Sequence, residues 1–589
     1  MLNLQCLRPR ITMFLFATLA ALAVALAAGI MFRRATTPWA SLPDYDYWAN
    51  IVGVISSDGV RLEPSALFRH NNEHIIVIPK LIYAANYLAT SGSNIGLTLY
   101  SLMVGALCSI LLLYLARNLF TDTPLRFALC AILFPAVMLS PKLVHSYFMG
   151  MSGTIWLTAD LFVILSAAAL ARAVATTNSN WLVMSLLAGL LGVLTYSTSI
   201  YALVFLLCFC LVLLALPGLR GMLSQSVLIG AATLIIVVLG LLWAYRTSPS
   251  GHPPLEFDLK LIYFVLIYMG NSLPTTSVVR PAAGLIILAV GVICICYLVI
   301  QGRAKDILHW IMLFLFAPFN ALMTGIGRLG FGAETATSSR YQSVAAVSLI
   351  ATITLTLSAL PKGVVSRPIA IARALCFIGL GVGAVVVAFQ PGGATAKFYS
   401  TRNEQKVITE IALRQGIQGE HHLRAATPAI AQLDRLVPVL RAARHVPFDR
   451  KSRCEEMLGQ HRPKKAAPTA GWVETLSTYD MSHEAGRAIE LSGWAERHGE
   501  AAECIIIVDG SGTVIGTGAS VSRRSNLKPA KGTTLVGWKA VATLPQSMPV
   551  CAFALFPRES QWTPLTNCCD KIEKAAGCKS GEVPTVLRR

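Results

Sequence analysis

Charged side chains are scarce in this sequence. Asp, Glu, Lys and Arg make up 13% of its 589 residues, whereas soluble globular proteins carry about 25%. The shortage is confined to residues 11–390, where long apolar runs are separated by short polar stretches. Each run approaches or exceeds the ~18 apolar residues that distinguish a membrane span from a buried helix. The scarcity excludes a soluble protein for the first two thirds of the chain and predicts a polytopic membrane protein.

Acidic residues are the scarcer charge: 30 Asp and Glu stand against 49 Lys and Arg, for a formal net charge of +19. A basic excess is also typical of nucleic-acid-binding proteins, but no recognised nucleic-acid-binding motif is present. Many of the Lys and Arg residues instead lie in short loops between apolar runs. In such loops they set topology and contact anionic headgroups. We therefore expect membrane lipids as partners and no nucleic acid.

Cysteines with the C-x-x-C spacing are missing, which argues against a zinc site of that kind. Eight of the fourteen cysteines lie at the N-terminus or in apolar runs, where cysteine acts as a small packing residue. The others follow the last apolar run: Cys454, Cys504, Cys551, Cys568, Cys569 and Cys578. An even set in this tail predicts disulfides and an oxidising compartment, but the sequence does not select a pairing.

The apolar runs predict eleven membrane spans. The first follows Arg8 and Arg10 and also resembles a signal peptide, but its apolar run is longer than a typical signal core. We place the N-terminus inside because the loops on that side are short and rich in Lys and Arg, and an odd number of spans then places the tail outside. The predicted spans are approximately 11–32, 95–116, 125–140, 155–172, 181–197, 199–217, 224–244, 282–300, 308–326, 343–360 and 370–389.

Two of the predicted outer loops are long, at 33–93 and 245–281. The apolar piece at 259–269 in the second loop is too short to span and is typical of an interfacial or re-entrant helix. Irregular backbone at membrane depth is tolerated where it lines a cavity. Both loops are therefore candidates to cover a site.

The sequence pattern of the tail changes twice. Apolar positions in 395–450 have helical spacing, and the Pro- and Lys-rich stretch 454–472 is typical of a linker. From about 485 the period becomes two, which predicts strands at 488–495, 504–508, 513–518, 534–544 and 550–556, with a hairpin at Asp509-Gly510-Ser511-Gly512. We predict a membrane domain at 1–393, a helical segment and linker at 394–460, and a β-sandwich at 461–589.

The first outer loop opens with Pro43-Asp44-Tyr45-Asp46-Tyr47-Trp48. Paired acids beside aromatic residues near a membrane surface can supply a general base or a metal ligand. The alternative is that the aromatic residues form an interfacial belt and that the acids are solvated.

The same loop contains His70-Asn71-Asn72-Glu73-His74, which matches the H-x-x-E-H motif of inverted zinc proteases. In a helix both histidines would share one face. A catalytic zinc needs a third protein ligand, and no suitable acid is evident. A polar cluster in a substrate cavity is favoured over the protease, and a solvated helix start is the remaining alternative.

A third cluster runs from Gly327 to Tyr341 and contains Arg328, Glu334 and Arg340. Its glycines allow backbone to approach a ligand, and two arginines can bind a phosphate bidentately. Contact with lipid headgroups is the alternative.

Another predicted outer loop adds Lys142. Asp160 lies about one turn inside a predicted span, where an acid is a functional candidate by default, although a position so near the edge can be merely interfacial.

These stretches together resemble a bacterial family of polytopic GT-C-type glycosyltransferases related to those that glucosylate O-antigen and other surface polysaccharides. The resemblance lies in the acidic-aromatic start with Asp46, in Asn72-Glu73-His74 followed by Pro79-Lys80, in Arg328…Gly330-Phe331-Gly332…Ser339-Arg340-Tyr341, and in a post-membrane helical stretch that ends near Val446-Pro447-Phe448 before a β-rich tail. It implies a GT-C-like α-helical membrane domain in the bacterial inner membrane, with the tail in the periplasm.

The resemblance also implies a chemistry: inverting transfer of a sugar from a polyprenyl-phosphate donor to a glycan or lipid-linked acceptor. Asp46 is the first choice of base, followed by Asp44 and Glu73, because the doubled Asp leaves the alignment open. Arg328 and Arg340 would hold the donor phosphate. The remaining expected substrate contacts are Tyr341, His70, His74, Glu334 and Lys142.

No metal ligand is assigned, no cofactor is certain, and a divalent metal stays open. The sugar and the acceptor also stay open. A transporter or flippase of a lipid-linked glycan is the alternative function, although no internal repeat of the kind found in transporters is evident.

Overall fold

A computed structural model describes residues 40–215, 258–273, 278–361, 393–461, 470–480, 487–522 and 536–566. Positions 52, 57, 72–73, 418, 428–429, 450–451, 546 and 548 within these ranges are excepted, and positions 18, 22, 25, 26, 29, 33, 232 and 240 are also described. The chain forms two compact units. Unit 1 comprises Met1–Arg34, Glu63–Ile82 and Leu97–Ala396, and unit 2 comprises Ala35–Leu62, Tyr83–Gly96 and Lys397–Arg589.

The helices of the described residues follow the apolar runs of the sequence in unit 1 and the helical spacing after residue 393 in unit 2. In chain order they are α1 (Tyr47–Ile51), α2 (Pro64–Leu67), α3 (Val77–Thr90), α4 (Asn94–Leu119), α5 (Pro124–Met138), α6 (Val144–Phe148), α7 (Gly150–Thr176), α8 (Ser179–Thr195), α9 (Ile200–Ala215), α10 (Lys260–Gly270), α11 (Arg280–Ile300), α12 (Ala304–Arg328), α13 (Gln342–Ala359), α14 (Gly393–Arg414), α15 (Glu420–Ala426) and α16 (Ile430–Ala442).

The strands form two short hairpins in the first loop and one larger sheet in the tail. They are β1 (Ile55–Ser56), β2 (Gly59–Val60), β3 (His70–Asn71), β4 (His74–Ile75), β5 (Gly471–Asp480), β6 (Arg487–Arg497), β7 (Glu500–Ala501), β8 (Cys504–Val508), β9 (Val514–Ser522), β10 (Gly537–Thr543), β11 (Cys551–Leu555) and β12 (Thr563–Pro564).

Within the described part of the chain, five helical stretches are long and apolar enough to cross a membrane: Asn94–Leu119, Gly150–Thr176, Arg280–Ile300, Ala304–Phe331 and Ser339–Ala359. Each coincides with a predicted span. The predicted spans 125–140, 181–197 and 199–217 correspond to shorter apolar helices, and α10, with 11 residues, is short as expected. The remaining predicted spans, 11–32, 224–244 and 370–389, lie outside the described residues or include only scattered positions. The protein is thus membrane-associated, and the count of eleven stays a prediction.

Helix α13 is held at its C-terminal end by two arginines. Arg126 donates to the carbonyl oxygens of Leu357 at 2.8 Å and Pro361 at 2.8 Å, and Arg303 donates to that of Ser358 at 2.9 Å. The last carbonyls of a helix have no partner within the helix, and a cation at that end also favours the helix dipole. Both arginines were expected to set topology, and in the structure they also bind backbone.

The tail sheet is antiparallel, with strand order β12-β11-β8-β9-β10-β6-β5. Its two outer strands meet, because Val473 donates its N–H to Thr566 and Thr566 donates to Gly471, both at 3.0 Å. A single curled sheet therefore replaces the predicted β-sandwich, and that prediction was wrong. A period of two in the sequence indicates that one face of each strand is buried. It does not tell whether that face is covered by a second sheet or by the same sheet curling over itself.

Strand β8 is an inner strand of the sheet and is buried on both faces. Ile505 and Ile507 pack in one apolar core with Trp538, and Ile506 packs in a second core with Trp562. The disulfide Cys454–Cys504 ties the segment before the sheet to this strand.

Three of the six tail cysteines lie among the described residues, and all three form disulfides. Cys454 bonds to Cys504, and Cys551 is also disulfide-bonded. The cysteines of the apolar helices that the structure describes are all free. This division matches the expectation from the sequence.

Unit 2 unites the helical segment, the sheet and the start of the first loop. Ile408 and Ile411 on α14 pack with Val541 of the sheet in one apolar cluster. Tyr45 in the first loop donates its N–H to the carbonyl of Ala426 at 2.8 Å. The first loop was assigned to the membrane domain from its position in the sequence, whereas these contacts group its beginning with the tail.

His445 is a buried histidine that joins three parts of unit 2. One ring nitrogen, Nδ1, lies 2.7 Å from the carbonyl oxygen of Val446, and Nε2 lies 2.9 Å from the hydroxyl of Tyr47. Its ring stacks on Tyr87. Nδ1 therefore donates to that carbonyl, and in the neutral ring Nε2 accepts from the Tyr47 hydroxyl. Burial lowers the pKa of His445 to about 4.

We expect this histidine to make unit 2 acid-sensitive. Its pKa is lower in the folded state than in the unfolded chain, so its contribution to stability is complete above about pH 6.5 and is lost as the pH falls towards 4. Protection of the 440–448 segment against hydrogen exchange, corrected for the intrinsic pH dependence of amide exchange, should fall over that window in the full-length protein. In a His445→Gln variant the protection should lose this pH dependence, and an unchanged profile would contradict the assignment.

Candidate functional site

The histidine motif of the first loop forms a hairpin. Strands β3 and β4 pair antiparallel, with His70 opposite Ile75 and Asn71 opposite His74. Cross-strand partners share a face and successive residues alternate, so His70 and His74 point to opposite faces. Two zinc ligands cannot converge from such positions, and the zinc-protease reading of H-x-x-E-H does not fit. Glu73 and Asn72 lie outside the described residues.

Lys80 positions the chain that leads into this hairpin. It is buried, and its Nζ donates to the carbonyl oxygens of Ala66, Leu67 and Arg69 at 2.8, 3.2 and 2.6 Å. The first two carbonyls belong to α2, so the ammonium satisfies the end of that helix. Burial and the charge of Arg69 lower the pKa of Lys80 to about 8. The Pro79-Lys80 part of the resemblance thus has a structural use, which is to hold the loop before His70.

A continuous set of rings, here the aromatic cluster, lies where the loops of unit 1 meet at one end of its helices: His74, Trp156, Tyr196, Tyr268 and Tyr341. The ring centroids of His74 and Tyr196 are 4.1 Å apart, and those of Tyr196 and Trp156 are 4.5 Å apart. Trp156 meets Tyr341 edge-on at 5.6 Å, and Tyr341 stacks on Tyr268 at 5.0 Å. The cluster thus joins the first loop to α7, α10 and the turn before α13.

His74 is fixed in this cluster by a hydrogen bond. Its Nδ1 lies 2.5 Å from the hydroxyl of Ser197, in the turn between α8 and α9. The structure therefore brings together two residues predicted for the site, His74 and Tyr341. His70, on the other face of the hairpin, is half-buried, and its Nε2 has no hydrogen-bond partner among the described residues.

Asp160 is the buried acid of this region. It lies one helical turn from Trp156 on α7, is fully buried, and is within electrostatic range of Tyr268. Neither carboxylate oxygen has a hydrogen-bond partner among the described residues. The Ser343 hydroxyl faces the carboxylate without forming a hydrogen bond of normal geometry.

The hydroxyl groups of Tyr268 and Tyr341 are also buried without a hydrogen-bond partner in the described part of the chain. Each unsatisfied buried polar group costs about 1–3 kcal/mol, so native structures seldom keep several of them together without a use. The arrangement is suited to a polar ligand that would bond to these hydroxyls and to the carboxylate of Asp160.

Cations surround the same cluster. Arg340 places its guanidinium 5.3 Å from the centre of the Tyr341 ring, and its Nε has no hydrogen-bond partner among the described residues. Lys142 lies in the turn that packs against the Ser339–Tyr341 turn. Burial and the charge of Arg280 lower the pKa of Lys142 to about 8. Arg280 in turn interacts with Glu334. Three half-buried cations with one exposed acid form a natural site for an anion.

Arg328 has a different position. It ends α12, and two short 3-10 turns, Leu329–Phe331 and Ala333–Thr337, separate it from Arg340. Gly332 links these turns at φ +97°, a backbone conformation that glycine adopts most easily. The glycine-rich stretch therefore turns the chain between the two arginines. Whether both arginines contact one phosphate stays a prediction.

Asp44 and Asp46 lie in unit 2. Asp44 is buried and its carboxylate lies 2.8 Å from Nζ of the buried Lys406 and 3.1 Å from Nε of Arg402. Arg402 also covers the ring of Tyr45, at 4.4 Å from its centre. Both oxygens of Asp44 are thus held by cations, whereas Asp46 is half-buried. Asp44 is thus engaged in buried ion pairs, which argues for a structural role.

No protein-family model and no curated protein matches this chain. The glycosyltransferase resemblance therefore rests on the short motifs of the sequence. The arrangement of unit 1 provides independent physical grounds for a function.

Sequence reasoning did not select Trp156, Tyr196, Tyr268 or Arg280. Two of them stand at positions that the sequence pattern marks weakly. Tyr196 lies in a polar break between two apolar runs, and Arg280 directly precedes another run. Such positions are also typical of interfacial anchors. Only the packing of helices that are distant in sequence shows that these side chains meet.

Proposed function

We propose that the protein is a membrane glycosyltransferase that takes a sugar from a polyprenyl-phosphate donor and transfers it to a surface glycan or a lipid-linked acceptor. One observation carries the proposal: in unit 1, Lys142, Arg280 and Arg340 lie at one side of the aromatic cluster, and the carboxylate of Asp160 beside that cluster has no hydrogen-bond partner among the described residues. Cations, aromatic faces and an acid are the three kinds of group that this transfer requires.

The cations suit the donor phosphate. A guanidinium can bind two phosphate oxygens at once. The Nε of Arg340 has no hydrogen-bond partner among the described residues. Lys142 adds a compact charge. Negative charge builds up on the phosphate as the bond to the sugar breaks, and fixed cations stabilise that charge in a site of low dielectric.

The aromatic cluster suits the sugar. Tyr268 and Tyr341 stack through their ring faces, and their buried hydroxyl groups have no hydrogen-bond partner among the described residues. Each side chain thus combines an apolar ring with a polar group that a ligand could bond. A sugar ring offers both kinds of surface. The lipid chain of the donor would lie among the apolar helices, which keeps the phosphate near the end of the helices where the cations lie.

A carboxylate would act as general base. The acceptor hydroxyl attacks the anomeric carbon, its proton passes to the carboxylate, and the bond from carbon to the phosphate oxygen breaks on the opposite face, which gives inversion. Asp160 is supported by its place beside the aromatic cluster. Asp46, the first choice from the sequence, is the second candidate, and Glu73 is third.

The disulfides of unit 2 support a location at the outer face of a bacterial inner membrane. Disulfides persist in oxidising compartments such as the periplasm and are rare in the cytosol. Cys454–Cys504 would then lie in the periplasm with the curled sheet.

A transporter or flippase of a lipid-linked glycan is the second candidate function. Asp160 favours it, because it is buried in a candidate membrane span without a hydrogen-bond partner among the described residues, and acids in such positions also mark transport pathways. The two functions differ in one product, since only the enzyme forms a glycosidic bond.

The test is mass spectrometry of the surface polysaccharide from cells with and without the protein. We expect an increment of one hexose-sized unit that depends on it. Arg340→Gln and Lys142→Met should each lower the modification by about 10–100-fold, because a hydrogen bond to a charged group contributes about 1.5–3 kcal/mol. Lys305→Gln, which removes an exposed cation from the start of α12, is the matched control.

Two outcomes would contradict the proposal. In the first, the polysaccharide is identical with and without the protein. In the second, purified protein in liposomes moves a polyprenyl-phosphate sugar across the bilayer and transfers none of it to an acceptor. The second outcome would favour the flippase.

A further inference from the structure

A group of three metal-ligating side chains lies in unit 2, away from the aromatic cluster of unit 1. His421 and His422 are on α15 and Glu490 is on β6. Nε2 of His421 lies 4.0 Å from Oε2 of Glu490, and Nε2 of His422 lies 3.9 Å from the same oxygen. In the described part of the chain, the ligand atoms of these three residues are near enough to one another to share a metal ion.

His422 is the unexplained member of this group. It is 3% exposed, and its Nε2 has no hydrogen-bond partner among the described residues. Burial lowers the pKa of His422 to about 4, so the ring is neutral at physiological pH. A buried neutral imidazole with an unused nitrogen is costly unless that nitrogen is bound, and it is also the form that coordinates metal.

We propose that His421, His422 and Glu490 bind a divalent transition-metal ion of the zinc class. Two histidines and one glutamate are a known ligand set for zinc, with a fourth position left for water. Zinc-ligand bonds of about 2.0–2.2 Å require these ligand atoms, which all lie within 4.8 Å of one another, to come nearer together. Binding would therefore turn both the exposed His421 side chain and the carboxylate of Glu490 towards the ion. This site is independent of the proposed function.

Two neighbours fit the role of supporting groups. Lys539 lies 3.2 Å from the other oxygen of Glu490, Oε1, which leaves Oε2 for the ion. The ring of Tyr479 meets His422 edge-on at 4.8 Å and fixes its orientation. Groups that orient a ligand in this way typically affect metal affinity by about 10–100-fold.

The ion would join two parts of unit 2. Helix α15 carries the histidines and β6 carries the glutamate, so coordination would tie the helical segment to the curled sheet. A metal that binds the folded state alone stabilises it by mass action.

The experiment uses full-length protein in detergent, purified through a tag without histidine and stripped with a chelator. Co²⁺ is titrated and the visible ligand-field bands of the four-coordinate ion are followed, after which Zn²⁺ is added in competition. We expect one ion per chain. His421→Ala and Glu490→Gln should each lose more affinity than Lys539→Met, for which about 10–100-fold is expected. His422 is left unchanged because it is buried.

Controls come from His498, in the turn between β6 and β7, and from Glu500 at the start of β7. His498→Ala and Glu500→Gln remove a histidine and an acid of the same types from nearby positions and should bind Co²⁺ as the unaltered protein does. Zn²⁺ should also raise the thermal midpoint of the unaltered protein but not that of His421→Ala. The proposal is overturned if the unaltered protein binds no more Co²⁺ than a double variant with both His421→Ala and Glu490→Gln, or if Glu490→Gln alone binds with unchanged affinity.

Discussion

Replacing Asp160 by asparagine should lower sugar transfer by about 10²–10⁴-fold, the usual contribution of a general base, while the protein still inserts into the membrane. Asparagine keeps the size and shape of the side chain and removes its ability to take a proton. The carboxylate makes no hydrogen bond to the described part of the chain, so the substitution breaks no described contact. The measurement is the rate of hexose addition to the surface glycan at matched protein levels.

The comparison variants separate this acid from its rivals. Asp46→Asn should retain most of the activity if Asp160 is the base, and Glu334→Gln tests the exposed acid beside the cations. If Asp46→Asn is inactive and Asp160→Asn is active, the first choice from the sequence is the base and Asp160 has another use. If all of these variants transfer sugar normally, none of these three acids is the general base, and the proposed mechanism is wrong on this point.

Replacing Asp44 by asparagine should destabilise unit 2 by about 3–5 kcal/mol, the cost of breaking a buried ion pair by removing one partner. The substitution leaves Lys406, which is fully buried, and Arg402 without their carboxylate. We expect low yield and rapid proteolysis of the segment from residue 397 onwards. Thermal unfolding of the full-length protein in detergent measures the loss.

A matched surface pair provides the control. Glu420 and Arg424 form an ion pair on α15 with both side chains mostly exposed, and exposed pairs contribute about 0–1 kcal/mol. Glu420→Gln should therefore change the thermal midpoint little. A double variant that replaces both Asp44 and Lys406 by apolar residues should recover part of the stability, because an apolar pair of similar volume is often tolerated. A stable but inactive Asp44→Asn variant would instead indicate a catalytic acid.

Local patterns in the sequence account for much of the secondary structure. Predicted strand 504–508 coincides with β8, and 488–495 and 550–556 lie within two residues of β6 and β11. The hairpin at Asp509 is confirmed, since its Oδ1 accepts hydrogen bonds from the N–H groups of Ser511 and Thr513. These features depend on neighbours in the chain. Strand β5 was missed because the Pro- and Lys-rich stretch before it suggested a linker.

The features that could not be predicted depend on contacts between distant residues. Asp44 forms an ion pair with Lys406, which lies 362 positions later in the sequence. No local pattern marks the two residues as partners. The hairpin geometry of His70 and His74 was ambiguous because a motif of five residues suits a helix or a turn. Lys142, Arg280 and Tyr341 come from three separate stretches and meet only through helix packing. Sequence reasoning therefore identified several components of the site but not their arrangement.

The hydrogen bonds between Gly471, Val473 and Thr566 have a consequence for self-association. An open sheet exposes a row of unpaired backbone groups to which another chain can add. In the described tail the start of β5 bonds instead to Thr566, just after β12. A second copy could add to the sheet at this point only by displacing those two hydrogen bonds.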